Sequence, residues 1–247
     1  MKIRKVVSKI LMAAMIAAGT LSAVSSQASV VIAGTRVVYN AGDSEVTLKL
    51  SNVGKHPALT QVWLDKGDAK EDPSKIDLPF VLTPALARID PDKAQTIRIS
   101  YTGEELPNDR ESLLWFNVLE VPPKPEQADA GGNYVQLAFR SRIKFFFRPT
   151  GLPGTSDAAP DKLQWNLVTE NGKSALKVAN PTPYHVTIIE AQVGAGDKAP
   201  KFDDGGMVTP GGELSLPLSA PAAAGGKVSF TTLNDYGGPM KHEANLH

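Results

Sequence analysis

Side chains that commonly perform covalent or metal chemistry are scarce in this chain, and their spacing is unfavourable. Four histidines and no cysteine occur in 247 residues, which removes cysteine nucleophiles, thiolate zinc sites and disulfide frameworks together. His242-Glu243-Ala244-Asn245-Leu246-His247 resembles a zinc-protease helix, but imidazoles five residues apart do not share a helix face, and a frayed tail is expected there. Gly194-Ala195-Gly196-Asp197-Lys198-Ala199 fits the loosest dinucleotide fingerprint. Pro200 follows, however, and no helix is legible to place its N-terminus under a pyrophosphate. Gly172-Lys173-Ser174 lacks the preceding glycine of a phosphate loop, and Asn171-Gly172 reads as a hairpin turn. There is no Gly-x-Ser-x-Gly elbow, and Asp72, Asp77, Asp90 and Asp92 sit in Pro-rich turns. The chain is read as a non-enzyme with no catalytic residue, metal site or cofactor.

A different chemistry is legible between Tyr134 and Phe147. Val135, Leu137, Phe139, Ile143, Phe145 and Phe147 share one parity, and Gln136, Arg140, Arg142 and Lys144 share the other, the period-2 pattern of a strand with one apolar and one polar face. Its fourteen residues are more than twice the usual strand length of about 5–6, so part of it overhangs its sheet or forms an edge. An edge strand of this kind can pair with an extended segment of another polypeptide.

The elements around that strand are β-rich. Gly 21 and Pro 19 favour many turns over a helical bundle. Short apolar runs at Val30–Tyr39, Glu45–Ser51, Leu59–Leu64, Phe80–Leu82, Gln95–Tyr101, Leu113–Val121 and Tyr134–Phe147 make seven strands, enough for one immunoglobulin-like sandwich. Arg148-Pro149-Thr150-Gly151-Leu152-Pro153-Gly154 interrupts every pattern and marks a domain boundary. Runs at Leu163–Thr169, Ala175–Ala179, His185–Val193, Glu213–Leu218 and Lys227–Leu233 then suggest a second, smaller sandwich. At the other end, Lys2, Arg4, Lys5 and Lys9 precede an apolar stretch from Ile10 to Ala18 and a small-x-small site at Ser26-Gln27-Ala28. This reads as a secretory leader, with cleavage expected after Ala28, and it is too short to span a bilayer. The chain has 26 basic and 26 acidic residues, and loss of the leader's four bases leaves an acidic excess. Nothing here suggests nucleic-acid binding or membrane embedding. The domains expected are a leader at 1–28, an N-terminal sandwich at 29–150 and a C-terminal one at 151–247.

Several longer motifs resemble the periplasmic chaperones of the chaperone–usher pilus pathway. They are Thr35-Arg36-Val37-Val38-Tyr39, then Asp109-Arg110-Glu111-Ser112-Leu113-Leu114-Trp115-Phe116-Asn117-Val118 running to Val121-Pro122-Pro123, and Ile143-Lys144-Phe145-Phe146-Phe147-Arg148-Pro149. In the second half they are Asn180-Pro181-Thr182-Pro183-Tyr184-His185-Val186-Thr187 and Asn234-Asp235-Tyr236-Gly237-Gly238. The resemblance implies two immunoglobulin-like domains set at an angle around a cleft. It places on Arg36 and Lys144 a basic pair that holds a pilus subunit's C-terminal carboxylate, through a planar fork and a point charge. It makes Val135, Leu137 and Phe139 the side chains lent to a subunit whose own sandwich lacks a strand, and it groups Glu111, Arg148 and Asp235 as a charged cluster between the domains. Strict alternation puts Lys144 on the face opposite Leu137, so a bulge or strong twist near Ser141–Ile143 is expected to bring both into one groove. Asp92 stands where the family usually has glycine in a turn, which an aspartate can occupy. No family strand is expected after Gly238.

The function so implied is capture and capping of pilus or fimbrial subunits in the periplasm by donor-strand complementation, with delivery to an outer-membrane usher and some self-association of the empty protein. The rival reading is an exported two-domain fimbrial adhesin or structural subunit. That protein would need a self-complementing terminal strand and would gain nothing from pairing Arg36 with Lys144.

Overall fold

A computed structural model describes residues 29–123, 136–196, 198–223 and 225–246. The segment expected as a leader, residues 1–28, and Val135 lie outside these residues. Regular helix among the described residues amounts to single 3-10 turns at Pro73–Lys75 and Pro160–Lys162; the rest of the regular structure is strand.

The N-terminal sandwich contains β1 (Val30–Ile32), β2 (Arg36–Asn40), β3 (Val46–Asn52), β4 (Ala58–Asp65), β5 (Phe80–Thr83), β6 (Leu86–Ile89), β7 (Ala94–Tyr101), β8 (Ser112–Val121) and β9 (Phe139–Arg148). One sheet runs β1-β3-β7-β5 and the facing sheet β2-β9-β8-β4-β6. The run expected as one strand from Val30 to Tyr39 is therefore two strands in different sheets. Gly34, at φ 128°, lies where the chain crosses between them, a conformation open to glycine. β6 escaped the sequence reading because four residues after Pro84 are too few to show a period. Between the sheets lie Leu50, Ile97, Ile99, Phe116 and Phe145, all fully buried. Tyr39 packs among Phe80, Tyr101, Phe145 and Phe147 with ring centroids 5.7–6.4 Å apart. Its hydroxyl accepts from the Tyr101 N–H at 3.1 Å and donates to the Asp43 carbonyl at 2.9 Å, so the polar tip of the ring is satisfied inside the core.

The C-terminal sandwich is built from β10 (Gln164–Glu170), β11 (Lys173–Ala179), β12 (Val186–Val193), β13 (Lys201–Phe202), β14 (Gly206–Val208), β15 (Glu213–Pro217), β16 (Lys227–Leu233) and β17 (Pro239–Asn245). Its sheets are β10-β11-β15 and β13-β12-β16-β17, with β14 also on β12. Fully buried Trp165 meets Phe230 at 4.7 Å in its core. Asn171 and Gly172, at φ 51° and 75°, form the two-residue loop between β10 and β11, as the Asn-Gly pair predicts.

The C-terminal tail corrects the sequence reading. Pro239–Asn245 pairs residue for residue with β16, and Leu246 is buried and bridges to Trp165. The His242 ring stacks on Phe230 at 5.2 Å, with Nδ1 2.8 Å from Asp161 Oδ1 and Nε2 3.0 Å from Thr232 Oγ1. Its inner face carries only His242, Ala244 and Leu246, too weakly apolar an alternation to read as a strand.

The bulge expected near Ser141–Ile143 is absent. β8 and β9 pair one to one from Ser112↔Phe147 to Glu120↔Phe139, because the two strands match in length and leave no extra residue to accommodate. β9 also starts at Phe139, not Tyr134, and Leu137 precedes it with about half its surface exposed.

Candidate functional site

β2 joins β9 in parallel, and the register sets Arg36 opposite Lys144, Val38 opposite Phe146 and Asn40 opposite Arg148. Alternation then sorts β9 into two faces. Ile143, Phe145 and Phe147 point into the sandwich. Arg140, Arg142, Lys144 and Phe146 point out. Phe146 is nevertheless only 4 % exposed, because the second domain covers this end of the outer face. Its ring meets His185 at 5.4 Å and the Arg36 guanidinium at 5.8 Å. The unbroken run Phe145-Phe146-Phe147 was the sequence signal that both faces of β9 are covered here.

Arg36 and Lys144 thus stand side by side at the mouth of the cleft. Arg36 Nη1 donates to the Leu233 carbonyl at 3.4 Å, at the end of β16, while its buried Nε has no partner among the described residues. Burial pushes the Arg36 guanidinium below its usual basicity, against the pull of Asp235 and Glu111. Burial, and then the neighbouring Arg36 charge, push the Lys144 ammonium down. Among the described residues Lys144 forms no ion pair. Two half-buried cations held together without a carboxylate between them make a site for an anion.

Behind this pair the structure brings Glu111, Arg148 and Asp235 into one network. Arg148 Nε donates to Glu111 Oε1 at 2.7 Å, and its two terminal nitrogens donate to the Asp235 oxygens at 2.7 and 2.9 Å. The guanidinium lies over Tyr184 at 5.4 Å. Burial opposes the Arg148 charge, but hydrogen bonds and charge from Asp235 and Glu111 outweigh it and raise the pKa. Asp235 shows the converse: burial would raise its carboxyl, and Arg148 together with Ser156 brings it below the usual range. Sequence reasoning missed Ser156, which donates to Asp235 Oδ2 at 3.1 Å, and His185. His185 donates its backbone N–H to Glu111 Oε2 at 2.8 Å, and its ring Nδ1 lies 3.2 Å from the same oxygen. The loop Asn234–Gly238 closes the arrangement against β2. Gly237 takes a left-handed conformation, φ 79°, that favours glycine, and a Cβ there would lie 2.2 Å from Thr35 Oγ1, so the hydroxyl would have to turn away.

The candidate donor segment has a distinctive edge. Among the described residues, β2 accompanies β9 only along Lys144–Arg148, so Phe139–Ile143 pairs with β8 on one side and presents an open edge on the other. Within β9, Lys144 and the inward-parity residue Phe139 project from opposite faces of this edge. A strand laid along it still reaches both faces, because its own side chains alternate.

Elsewhere, a cavity of about 530 Å³ lies on the outer face of the C-terminal sheet beside Lys201, Asp203 and Glu243. Among its charged residues, Lys201 pairs with Asp203 at 2.7 Å and Glu243 with Lys227 at 3.0 Å. Among the described residues no group of three or more His, Asp or Glu is placed to hold a metal ion. None of the helices described is long and apolar enough to cross a membrane.

Comparison with known proteins gives this geometry its context. Residues 29–153 match the family model for the pili and flagellar-assembly chaperone, PapD N-terminal domain, and residues 158–244 match that for the pili assembly chaperone PapD, C-terminal domain. The chain is 43 % identical over 226 residues to the probable fimbrial chaperone YadV of Escherichia coli K12, covering 90 % of this chain and 92 % of the relative. It is 43 % identical over 232 residues to the chaperone protein FimB/FhaD of Bordetella pertussis, covering 90 % of each. The crystal structure of YadV superposes with a TM-score of 0.75, at 40 % identity, covering 89 % of this chain and 100 % of that one. A Salmonella enterica structure of the SafA pilin in complex with the SafB chaperone matches with a TM-score of 0.73 at 29 % identity, covering 89 % of this chain and 97 % of that one. With both domain models matched in order along two β-sandwiches that meet at Arg36, Glu111, Arg148 and Asp235, this chain belongs to the pili assembly chaperone family.

Proposed function

We propose that this chaperone works in the periplasm. There it captures fimbrial subunits as they emerge, lends each the open edge of β9 as a missing strand, and delivers them to an outer-membrane usher. The observation that carries this reading is the adjacency of two features: the unpaired edge along Phe139–Ile143 and, at its end, the Arg36–Lys144 pair lacking a carboxylate. A subunit strand running along that edge with its C-terminus toward β2 brings a carboxylate to both cations. Arg36 offers a fork and Lys144 a point charge, and each bond is charge-assisted in a partly dehydrated cleft. Leu137 and Phe139, with Val135 outside the described residues, then fill the subunit's open groove. Each side chain contributes about 1.5–3 kcal/mol when fully buried, and main-chain pairing adds to this. The SafA pilin in complex with the similar SafB chaperone supports subunit binding by this chain. We divide the chain into 29–150 and 151–247, with the charged cluster holding the two domains in register.

The test is affinity capture from the periplasm of the native host with neighbouring pilus genes expressed, comparing the parent chain with an Arg36→Ala/Lys144→Ala double variant. Small subunits co-purifying with the parent and lost from a folded variant are the expected result. Equal capture by both sinks the carboxylate site, and capture by neither sinks the chaperone reading. Truncating one partner of such a desolvated contact costs about 2–5 kcal/mol, enough to abolish recovery.

A further inference from the structure

On the outer face of the N-terminal sandwich, a fully buried carboxylate reaches across three strands. Asp65, at the end of β4, has 0 % side-chain exposure and accepts four hydrogen bonds. The donors are the Gly67 N–H at 2.7 Å, Asn117 Nδ2 at 2.8 Å, Arg140 Nη2 at 3.0 Å and Arg142 Nη2 at 2.6 Å. Asn117 belongs to β8, and both arginines belong to β9. Arg140 is further fixed through Nε and Nη2 to Asn117 Oδ1 at 2.9 and 2.7 Å, and through Nη1 to the Ala69 carbonyl. Each guanidinium also lies on an indole, Arg140 over Trp63 at 4.7 Å and Arg142 over Trp115 at 4.9 Å. Parity alone places these two arginines on the polar face of β9 and does not disclose their common partner.

The location of this clamp is informative. Arg140 and Arg142 come from the segment of β9 that has β8 on one side and an open edge on the other. Lys144, beyond which β2 supplies the second neighbour, has no such tie. A strand paired on one side only is prone to open locally, and two long side chains immobilised at once represent a considerable loss of rotamer freedom. That loss is placed where the backbone lacks a second ladder.

We propose that Asp65 is a positioning residue for subunit capture: by fixing Arg140 and Arg142 across β8 it holds the open edge of β9 extended and in register before a subunit arrives. The inference rests on the capture function proposed above and explains how the edge is ready for it. An incoming strand meets a preformed template, so less ordering accompanies association. The regular register of β9 is what permits the clamp, since arginines at i and i+2 reach one carboxylate only if the strand between them is regular.

The experiment uses the full mature chain and its Asp65→Asn variant, with hydrogen exchange of the β9 amides as the first readout. Amides within residues 139–143 that donate to β8 are expected to exchange at least about tenfold faster in the variant, while those of Phe145 and Phe147 keep their protection. The second readout is the rate of association with the subunit recovered by the parent chain, expected to fall by about tenfold or more. Acceleration across the whole sandwich would mark Asp65 as a general stabiliser and overturn the proposal, as would unchanged exchange at 139–143 or an unchanged association rate. If Asp65→Asn does not fold, a neutral triple variant that adds Arg140→Gln and Arg142→Gln removes the clamp without leaving an unpaired buried charge, and the same outcomes decide. The Arg36→Ala/Lys144→Ala variant separates the two ideas, because it is expected to lose capture with normal protection at 139–143. A parent chain that captures no subunit removes the reading on which the proposal rests. Normal capture with an unaltered Asp65→Asn rate removes the positioning role alone.

Discussion

Arg36 and Lys144 face each other across the parallel ladder of β2 and β9, and burial lowers the basicity of both. Each has given up hydration that an incoming carboxylate would replace, and each charge disfavours the other until that happens. Asp235 and Glu111 offset part of this for Arg36, whereas Lys144 has burial and the Arg36 charge both set against it.

From this follows a pH dependence of capture. A carboxylate stabilises the charged ammonium, so affinity is full where Lys144 is protonated and declines as pH rises through its folded value. Because that value is depressed, the decline begins below the pH at which an ordinary lysine, near 10.4, would lose its proton. Arg36 keeps its charge throughout this range. Titrating subunit binding between neutral and alkaline pH, with Lys144→Arg alongside, is the check. The parent should show the early decline and the arginine variant a flat profile over the same range. Identical profiles would assign the decline to another group.

The donor side chains make a prediction that separates binding from stability. Leu137 is about half exposed in the free protein and precedes β9. Leu137→Ser should therefore leave thermal unfolding within about 0.5 kcal/mol of the parent. The same change should weaken subunit binding by roughly 10- to 150-fold, the equivalent of about 1.5–3 kcal/mol for one buried leucine. A variant that binds normally would remove Leu137 from the donor strand.

These two sites differ in how far the sequence disclosed them. The parity of Arg140, Arg142 and Lys144 against Ile143, Phe145 and Phe147 put the faces of β9 on record, because a period of two survives any tertiary context. What that parity could not show is which neighbour covers each face. Phe146 sits on the polar parity yet is buried by the second domain, and Arg140 and Arg142 are tied to Asp65, seventy-five residues distant from the nearer of them. His185 joined the cleft through a backbone N–H as much as its ring, and a backbone donor has no residue type to announce it. β17 was missed for a related reason: its inner face depends on His242 and Ala244, and their burial is supplied by Phe230 and Thr232 rather than by their own hydrophobicity. Motif resemblance placed Glu111, Arg148 and Asp235, residues that no local pattern would have joined.

The cluster those three residues form carries the remaining prediction. Asp235 lies below the usual carboxylate range in the folded protein: burial would raise it, and Arg148 reverses that. A depressed folded value contributes stability that is fully present above the unfolded value near 3.9 and is lost as pH falls through the folded one. The parent should accordingly lose stability through the acid range below about pH 4. Asp235→Asn should be less stable at neutral pH by about 1.5–3 kcal/mol, the magnitude of a hydrogen bond to a charged group, and should show a shallower loss in acid. Glu111 still accepts from Arg148 at 2.7 Å in that variant, so Arg148 keeps one carboxylate and the fold should survive. Urea unfolding of both proteins at a series of pH values measures the difference directly. Parallel curves across the acid range would mean that Asp235 gains no more from Arg148 in the folded state than burial takes away. The domain junction would then owe its stability to Phe146, Tyr184 and the Glu111 backbone contact at Pro183 rather than to the ion network.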